Sequence, residues 1–205
     1  QLPSPWIALW SPAWQSFVRM GNGLEHGSDA VYLDRSIPEP PTNGHVRLPS
    51  NWTWEIFKAV RGPNGTIGLW SPVHQAYISS PCTSPHERLI RRPGGPNELS
   101  EMDATFEVVP VVRNADDGLP LPDVDQFYAL WNPQCKTFIR MPSATDAMAH
   151  HPHIDQSSPI ADKQLPTDWT WEQFVIVSAS DAMIARMEVD FIGWLPLERM
   201  KVGGM

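Results

Sequence analysis

The sequence predicts an all-β fold built from three copies of one four-stranded unit. A phrase that ends in Leu-Trp-Ser-Pro or Leu-Trp-Asn-Pro occurs at residues 7–12, 67–72 and 128–133, and an aromatic residue follows each copy five positions later. The 22 Pro and 13 Gly are scattered along the chain, which separates short strands and leaves no room for long helices. Self-similarity at a fixed period indicates one supersecondary unit that buries its apolar face only against its copies.

The first unit shows how each strand is predicted. Residues 7–10 and 17–20 are apolar stretches on either side of Ser11-Pro12, where proline sets φ for a turn, so they form a hairpin. Residues 31–33 are predicted as the third strand, and residues 54–60, rich in β-favouring side chains, as the fourth. The corresponding strands are residues 77–80 and 105–109 in the second unit, and residues 138–141 and 171–177 in the third.

Twelve strands of this kind suit a closed architecture. Six would form a short barrel and six would cap it as three hairpins, which leaves few exposed sheet edges. Each unit carries Leu-Trp-x-Pro followed by an aromatic residue, and the outer units add a closing Trp-x-x-Phe. Over residues 6–177 this pattern resembles the fascin-like and agglutinin-like branch of the β-trefoil proteins. The resemblance implies a β-trefoil with pseudo-threefold symmetry, but the Gln-x-Trp signature of ricin-type trefoil lectins does not occur.

We expect a single domain over residues 1–205, since all-β domains commonly reach this size. Its repeats span about residues 6–62, 66–113 and 127–179. Residues 180–205 match none of the copies, and their apolar stretches predict an added strand or clasp that packs against the N-terminus; a helical turn is the alternative.

Charge and hydropathy exclude two classes of partner. The formal net charge is −8 and no basic cluster exceeds Arg91-Arg92, so the stripe that neutralises phosphates is missing and nucleic acid is not expected. No apolar run approaches about 18 residues, so no membrane span is expected.

Two features of the sequence bear on the cellular compartment: the cysteines and the glycosylation acceptor motifs. Cys82 and Cys135 form either one disulfide or two buried apolar thiols, and the sequence leaves both open. Asn51-Trp52-Thr53 and Asn64-Gly65-Thr66 are glycosylation acceptors if the chain enters a secretory pathway. We expect a secreted protein, with a cytoplasmic one as the alternative.

A set of polar residues is shared by the first and third units. Arg19, Asp34 and Glu55 correspond to Arg140, Asp155 and Glu172, and each set accompanies a double Trp motif. In the second unit the Arg becomes Ser79, the Glu becomes Ala104, and the double Trp is absent. Because these residues are retained together in two units and lost together in the third, we predict that they form a local ionic and hydrogen-bonded cluster beneath a Trp lid. Such a cluster is either structural, with an Arg fork held by carboxylates, or a pocket for a polyol or sugar.

The repeated Trp residues form a second candidate site. Trp10, Trp70 and Trp131 should face away from the barrel interior, because side chains alternate along a strand and Leu9 faces inward. They are then either covered by hairpins and loops or exposed as three aromatic platforms for multivalent binding. Trp14, in the first turn, is predicted to be the most exposed aromatic, with His74 and Cys135 as its counterparts.

Metal and cofactor chemistry is not expected. His150, His151 and His153 invite a metal interpretation, but a Pro-broken loop lacks the converging ligands that such a site requires. No phosphate-binding loop, nucleophile elbow or dinucleotide fingerprint occurs.

The function predicted is a non-enzymatic, lectin-like module that binds carbohydrate through surface Trp and polar loop residues. The alternative is a cyclase-type or isomerase-type enzyme whose Trp- and Met-lined cavity takes an apolar small molecule; the ten Trp and eight Met fit it nearly as well. An actin-crosslinking module is disfavoured by the negative net charge. The candidate ligand-binding residues are Trp10, Trp14, Trp70, Trp131, Arg19, Asp34, Glu55, Arg140, Asp155 and Glu172.

Overall fold

Twelve short strands, four in each repeat, lie in the part of the chain that the computed structural model describes: residues 4–21, 33–36, 46–99, 102–112, 126–142 and 153–180. The first repeat contains β1 (Trp6–Ser11), β2 (Ser16–Met20), β3 (Leu33–Ser36) and β4 (Phe57–Arg61). The second contains β5 (Ile67–Ser71), β6 (Ala76–Ser79), β7 (Ile90–Pro93) and β8 (Glu107–Val111). The third contains β9 (Phe127–Asn132), β10 (Thr137–Arg140), β11 (Asp155–Gln156) and β12 (Val175–Ser178).

The first and fourth strands of the three repeats close into a six-stranded antiparallel barrel. Ladders join β1 to β4, β4 to β5, β8 to β9 and β12 to β1. Single bridges complete the ring, from Ile67 to Phe106 between the β5 and β8 strands and from Tyr128 to Phe174 between β9 and β12. The remaining strands pair as β2–β3, β6–β7 and β10–β11. The predicted all-β, threefold architecture is confirmed.

A ring of backbone hydrogen bonds ties the three capping hairpins together. The N–H of Leu33 donates to the Leu89 carbonyl (3.3 Å), that of Leu89 to the Ile154 carbonyl (2.9 Å), and that of Ile154 back to the Leu33 carbonyl (3.1 Å). All three side chains are buried. Each repeat supplies one donor and one acceptor to the ring, so the buried N–H and C=O groups of these three residues pair with one another.

The barrel core is filled by equivalent apolar side chains from the repeats. Leu9, Leu69 and Leu130 are fully buried in one cluster, as the alternation of side chains along β1, β5 and β9 predicts. Phe57, Phe106 and Phe174 join the same cluster, so each repeat contributes a closing phenylalanine. The interior is therefore packed with side chains.

The fourth strands begin later than the sequence predicts. β4 starts at Phe57 and β12 at Val175, whereas strands were predicted from Trp54 and Trp171. The carbonyls of Trp54 and Trp171 instead accept hydrogen bonds from Met20 N–H (3.1 Å) and Met141 N–H (3.0 Å), at the ends of the second strands. These two Trp residues therefore lie in turns, which aims their side chains away from the barrel.

Three equivalent turns join the first strand of each repeat to the second. Each spans four residues and ends in a non-glycine residue with positive φ: Gln15 (49°), Gln75 (48°) and Lys136 (56°). A left-handed residue at the end of a hairpin loop matches the twist of the flanking strands. The preceding residue of each turn is Trp14, His74 or Cys135, as the sequence alignment of the units predicts.

Some expectations fall outside the described residues. These are the first two positions of the predicted third strand, Val31 and Tyr32, and the C-terminal clasp beyond Ser180. No helix within the described ranges has the length and apolarity needed to cross a membrane.

Candidate functional site

Arg19 and Arg140 form equivalent ion pairs with the aspartates that face them across the capping hairpins. Strand register places Arg19 opposite Asp34 and Arg140 opposite Asp155. Arg19 Nη2 lies 2.9 Å from Asp34 Oδ2. Arg140 grips Asp155 with two bonds, from Nε to Oδ1 (2.7 Å) and from Nη2 to Oδ2 (2.6 Å). The second geometry is the bidentate fork that makes Arg–carboxylate pairs strong and directional.

The two glutamates of the predicted clusters are buried behind these pairs. Ser36 Oγ donates to Glu55 Oε1 (2.5 Å), and burial raises the pKa of Glu55 despite this bond. Burial raises the pKa of Glu172 further, to about 7, with the positive charge of Arg140 opposing the shift. Both glutamates act in the interior of the cluster, where desolvation disfavours the charged form.

The two members of each double Trp motif have different environments. Trp52 and Trp169 pack on apolar clusters beside the barrel, over Phe17 and Phe138 respectively. Trp54 and Trp171 instead pack on the Arg residues of the clusters. The guanidinium carbon of Arg19 lies 5.3 Å from the ring centroid of Trp54, and that of Arg140 lies 5.5 Å from the ring centroid of Trp171. This is the predicted Trp lid, and both lids are half-buried, so part of each ring is open to solvent.

Each lid also meets the turn of the next repeat, which creates a seam between repeats. In seam 3/1, between the third and first repeats, Trp171 lies 5.7 Å from Trp14 (ring centroids). In seam 1/2, between the first and second repeats, Trp54 lies 5.5 Å from His74. Each of these two seams also contains a second Arg, which contacts the turn residue. In seam 3/1 this is Arg35, with its guanidinium carbon 5.7 Å from the centroid of the Trp14 ring. In seam 1/2 Arg91 takes the same place, with Nη1 3.0 Å from His74 Nδ1.

Seam 2/3, between the second and third repeats, is closed by different chemistry. Cys135, the counterpart of Trp14, forms a disulfide with Cys82, with the Cα atoms 4.9 Å apart. Asp103 takes the place of the lid Trp, accepts a hydrogen bond from Ser79 Oγ (2.9 Å) and pairs with Arg92. The second repeat thus has an Arg–Asp pair of its own, at positions other than those of the outer repeats. Sequence comparison missed this pair because it compared residue types at matched positions.

The repeated strand Trp residues are not exposed platforms. Trp10, Trp70 and Trp131 retain only 2, 3 and 5% of their surface exposed. They do point away from the barrel interior, as predicted, but the long loop of each repeat covers them. Trp70, for example, donates from Nε1 to the Gly94 carbonyl (2.8 Å). Of the two outcomes that the sequence left open, the covered one is correct.

Trp14 is half-buried and not the freely exposed aromatic that the sequence predicted. It packs between Trp171 and Arg35, which the sequence had not brought together with it. The sequence predicted a Trp lid but did not include Trp54 and Trp171 among the ligand-binding candidates, and it did not select Arg35, His74 and Arg91. The signal was present in the repeat alignment, where Trp54 and Trp171 are each the second Trp of a double Trp motif and His74 matches Trp14.

Comparison with known proteins rests on structure alone. No family model and no curated protein matches the sequence. The fold is similar to that of ThreeFoil, a designed threefold-symmetric protein, with a TM-score of 0.55, 11% identity and coverage of 86% of this chain and 100% of that one. The BEL β-trefoil is similar with a TM-score of 0.52 and 9% identity, over 86% of this chain and 95% of that one. The Rhizoctonia solani agglutinin is similar with a TM-score of 0.51 and 8% identity, over 85% of this chain and 96% of that one. The chain is a β-trefoil. At these identities the likeness shows the fold only.

The trefoil offers no metal cluster in the described ranges, where no three His, Cys, Asp or Glu side chains converge. Of the three histidines whose spacing invited the metal interpretation, His150 and His151 lie outside those ranges. His153 is described, and its Nε2 lies 3.8 Å from Asp155 Oδ2, so it faces the Arg140–Asp155 pair.

The raised pKa of Glu172 gives the trefoil a pH-dependent stability. Because the folded state binds the Glu172 proton more tightly than the unfolded state, stability falls as pH rises from about 4.5 to about 7. One proton limits this slope to about 1.4 kcal/mol per pH unit. We expect Glu172→Gln, which mimics the neutral form, to flatten the decline. Urea unfolding at several pH values checks this, and an unchanged slope in the variant would contradict it.

Proposed function

We propose that this β-trefoil is a non-enzymatic, lectin-like module that binds carbohydrate at seams 1/2 and 3/1. The observation that carries the proposal is the repetition, at two equivalent places, of a half-buried Trp stacked on an Arg that an Asp holds in place. Indole faces stack on the apolar side of a sugar ring, while a guanidinium held in one orientation donates to its hydroxyls. The fold-level likeness to an agglutinin supports the same function.

The parts of each cluster have different roles in this proposal. Trp54, Trp171, Arg19 and Arg140 supply the surface that meets the sugar. Asp34 and Asp155 orient the two guanidinium groups through their ion pairs, and the buried Glu55 and Glu172 interact with the charges of Arg19 and Arg140. Trp10, Trp70 and Trp131 take no part, because their rings are covered.

The enzyme alternative requires a cavity lined by Trp and Met. Two cavities in the described part of the trefoil have volumes of about 830 and 440 Å³, and neither of these two is lined by a Trp or a Met. The larger lies at the barrel end remote from the hairpins, beside Arg61, Thr66 and Tyr128. No observation in the described ranges favours this alternative over the binding module.

We further propose that the protein is secreted. The disulfide between Cys82 and Cys135 supports this, since such bonds persist mainly in oxidising compartments. The acceptor residues Asn51 and Asn64 are both exposed, which is compatible with glycosylation there.

A glycan array followed by calorimetric titration tests the carbohydrate proposal. We expect a sugar that binds the wild-type protein to bind the Trp54→Ala/Trp171→Ala variant at least tenfold more weakly, which corresponds to about 1.4 kcal/mol of lost affinity. The matched control is Trp52→Phe/Trp169→Phe, which alters the other member of each motif and should leave affinity unchanged. Folding of both variants is checked by circular dichroism. Absence of any sugar binding, or equal affinity in the lid variant, would contradict the proposal.

A further inference from the structure

The three seams differ in how well their polar side chains are satisfied. In seam 2/3 the position equivalent to Arg35 is Gln156, and its side chain is fully engaged. Gln156 Oε1 accepts from Ser80 Oγ (2.5 Å) and Thr137 Oγ1 (3.2 Å), while Nε2 donates to the Ser84 carbonyl (2.7 Å). This seam is also covalently closed. It has no unmet hydrogen-bonding group at this position.

Seam 1/2 is partly satisfied. Arg91 Nη1 donates to the Gly21 carbonyl (3.2 Å) and to His74 Nδ1 (3.0 Å). Burial, and then the positive charge of Arg91, lower the pKa of His74 to about 4, so the imidazole is neutral at pH 7 and its Nδ1 serves as the acceptor. The guanidinium in this seam therefore already has partners.

Seam 3/1 is the least satisfied of the three, although His74 Nε2 in seam 1/2 and Asp103 Oδ1 in seam 2/3 are also buried without a hydrogen-bond partner in the described part of the chain. Among the described residues, the Arg35 side chain has no ion pair and no hydrogen bond, and its contact is with the face of Trp14. Arg35 Nε and Trp14 Nε1 are both buried donors without a hydrogen-bond partner in the same part of the chain. The nearest carboxylate in sequence, Asp34, is already paired with Arg19. Two buried donors are thus left unmet beside two Trp rings, and the Arg35 guanidinium interacts with the charge of Asp34 without forming an ion pair.

These unmet groups specify the chemistry of a ligand. Guanidinium and indole nitrogens only donate, so the complementary group is an acceptor, and the unpaired positive charge favours an anionic one. A carboxylate accepts from Arg in a bidentate manner, and this raises affinity more than a neutral hydroxyl does. The net charge of −8 gives no general attraction for anions, so any such binding reports a local site.

From this comparison we infer that seam 3/1 binds the carboxylate of an acidic sugar, such as a uronic acid, through the guanidinium of Arg35, which stacks on the half-buried ring of Trp14. The sugar ring then stacks beside Trp14 and Trp171. The inference rests on the proposed carbohydrate-binding function and narrows it to one seam and one ligand class.

Matched sugars test the inference with few confounding differences. The probes are the methyl glycosides of glucuronic and galacturonic acid, compared with those of glucose and galactose, which carry a hydroxymethyl group in place of the carboxylate. Calorimetric titration at pH 7 and low salt should show at least tenfold tighter binding of one acid than of its neutral counterpart. Arg35→Gln should abolish this preference, whereas Arg91→Gln, at the equivalent place in seam 1/2, should retain it.

Trp14→Phe provides a second variant, since it keeps an aromatic ring beside the Arg35 guanidinium. It should therefore retain the preference for the acid. A preference for the acid that survives Arg35→Gln, or that Arg91→Gln removes, overturns the inference. Equal or tighter binding of the neutral sugars also overturns it, while the proposed lectin-like function stands. Failure to bind any sugar on the glycan array rejects that function as well.

Discussion

Replacement of Arg140 by methionine is expected to lower the free energy of unfolding by about 3–5 kcal/mol, because it leaves a buried carboxylate without its partner. The side chain of Asp155 is only 2% exposed, so few water molecules can reach its oxygens to replace the two lost hydrogen bonds. Burial already raises the pKa of Asp155 even with Arg140 in place. Desolvation therefore dominates at this site, and the guanidinium compensates for it only in part.

Arg19→Met is the matched control, because Arg19 occupies the same position in the first repeat. Its partner Asp34 is 18% exposed and keeps a hydrogen bond from the Arg35 backbone N–H (2.7 Å), so the loss should approach the ~1 kcal/mol typical of solvent-exposed pairs. The double variant Arg140→Met/Asp155→Leu should recover much of the loss, since apolar replacement of a buried pair is often neutral. Urea unfolding measures all three variants. If Arg140→Met and Arg19→Met lower the free energy of unfolding equally, the deeper burial of Asp155 does not strengthen its dependence on Arg140, and the prediction is wrong.

Removal of the disulfide is expected to lower the free energy of unfolding by about 4 kcal/mol, as chain-entropy arguments give for a loop of this size. Cys82 and Cys135 are separated by 53 residues, and the bond joins the second repeat to the third. The unfolded chain gains this loop freedom when the bond is cut, while the hydrogen bonds of Gln156 across the same seam remain.

The experiment compares wild-type protein with the Cys82→Ser/Cys135→Ser variant, each with and without reductant. Reductant should shift the denaturation midpoint of the wild-type protein close to that of the variant and leave the variant unchanged. If the midpoint of the wild-type protein does not move under full reduction, the bond does not stabilise the fold by this mechanism.

Residue types at repeated positions were sufficient to predict the charged clusters. Arg19, Asp34 and Glu55 are retained together in the first and third repeats and replaced together in the second. Such joint retention predicted that their side chains lie close to one another. The second repeat shows where such reasoning stops. Its Asp103–Arg92 pair lies at positions that carry Trp and Ser in the other repeats, so the same attraction arises from an arrangement that no alignment of identical residues reveals.

The strand Trp residues show a second limit. The period of two along β1 correctly predicts that Trp10 and Leu9 face opposite sides. Whether the outer side is covered depends on the long loop between the third and fourth strands of each repeat, which places Leu48 and Trp52 against the Trp10 cluster. Loop paths depend on many weak contacts between residues distant in sequence, which local patterns do not encode.

The repeat in the sequence by itself determined the class, the strand content and the threefold plan of this β-trefoil, because alternation and turn residues act over a few neighbouring positions. Only the tertiary structure decided the chemistry of the three seams, where side chains from different repeats meet. A different pair of side chains meets in each seam: Trp14 with Trp171 in seam 3/1, His74 with Trp54 in seam 1/2, and Cys135 with Cys82 in seam 2/3. Contacts between distant residues depend on the closure of the barrel, and the unmet donors of Arg35 and Trp14 are visible only once it is closed.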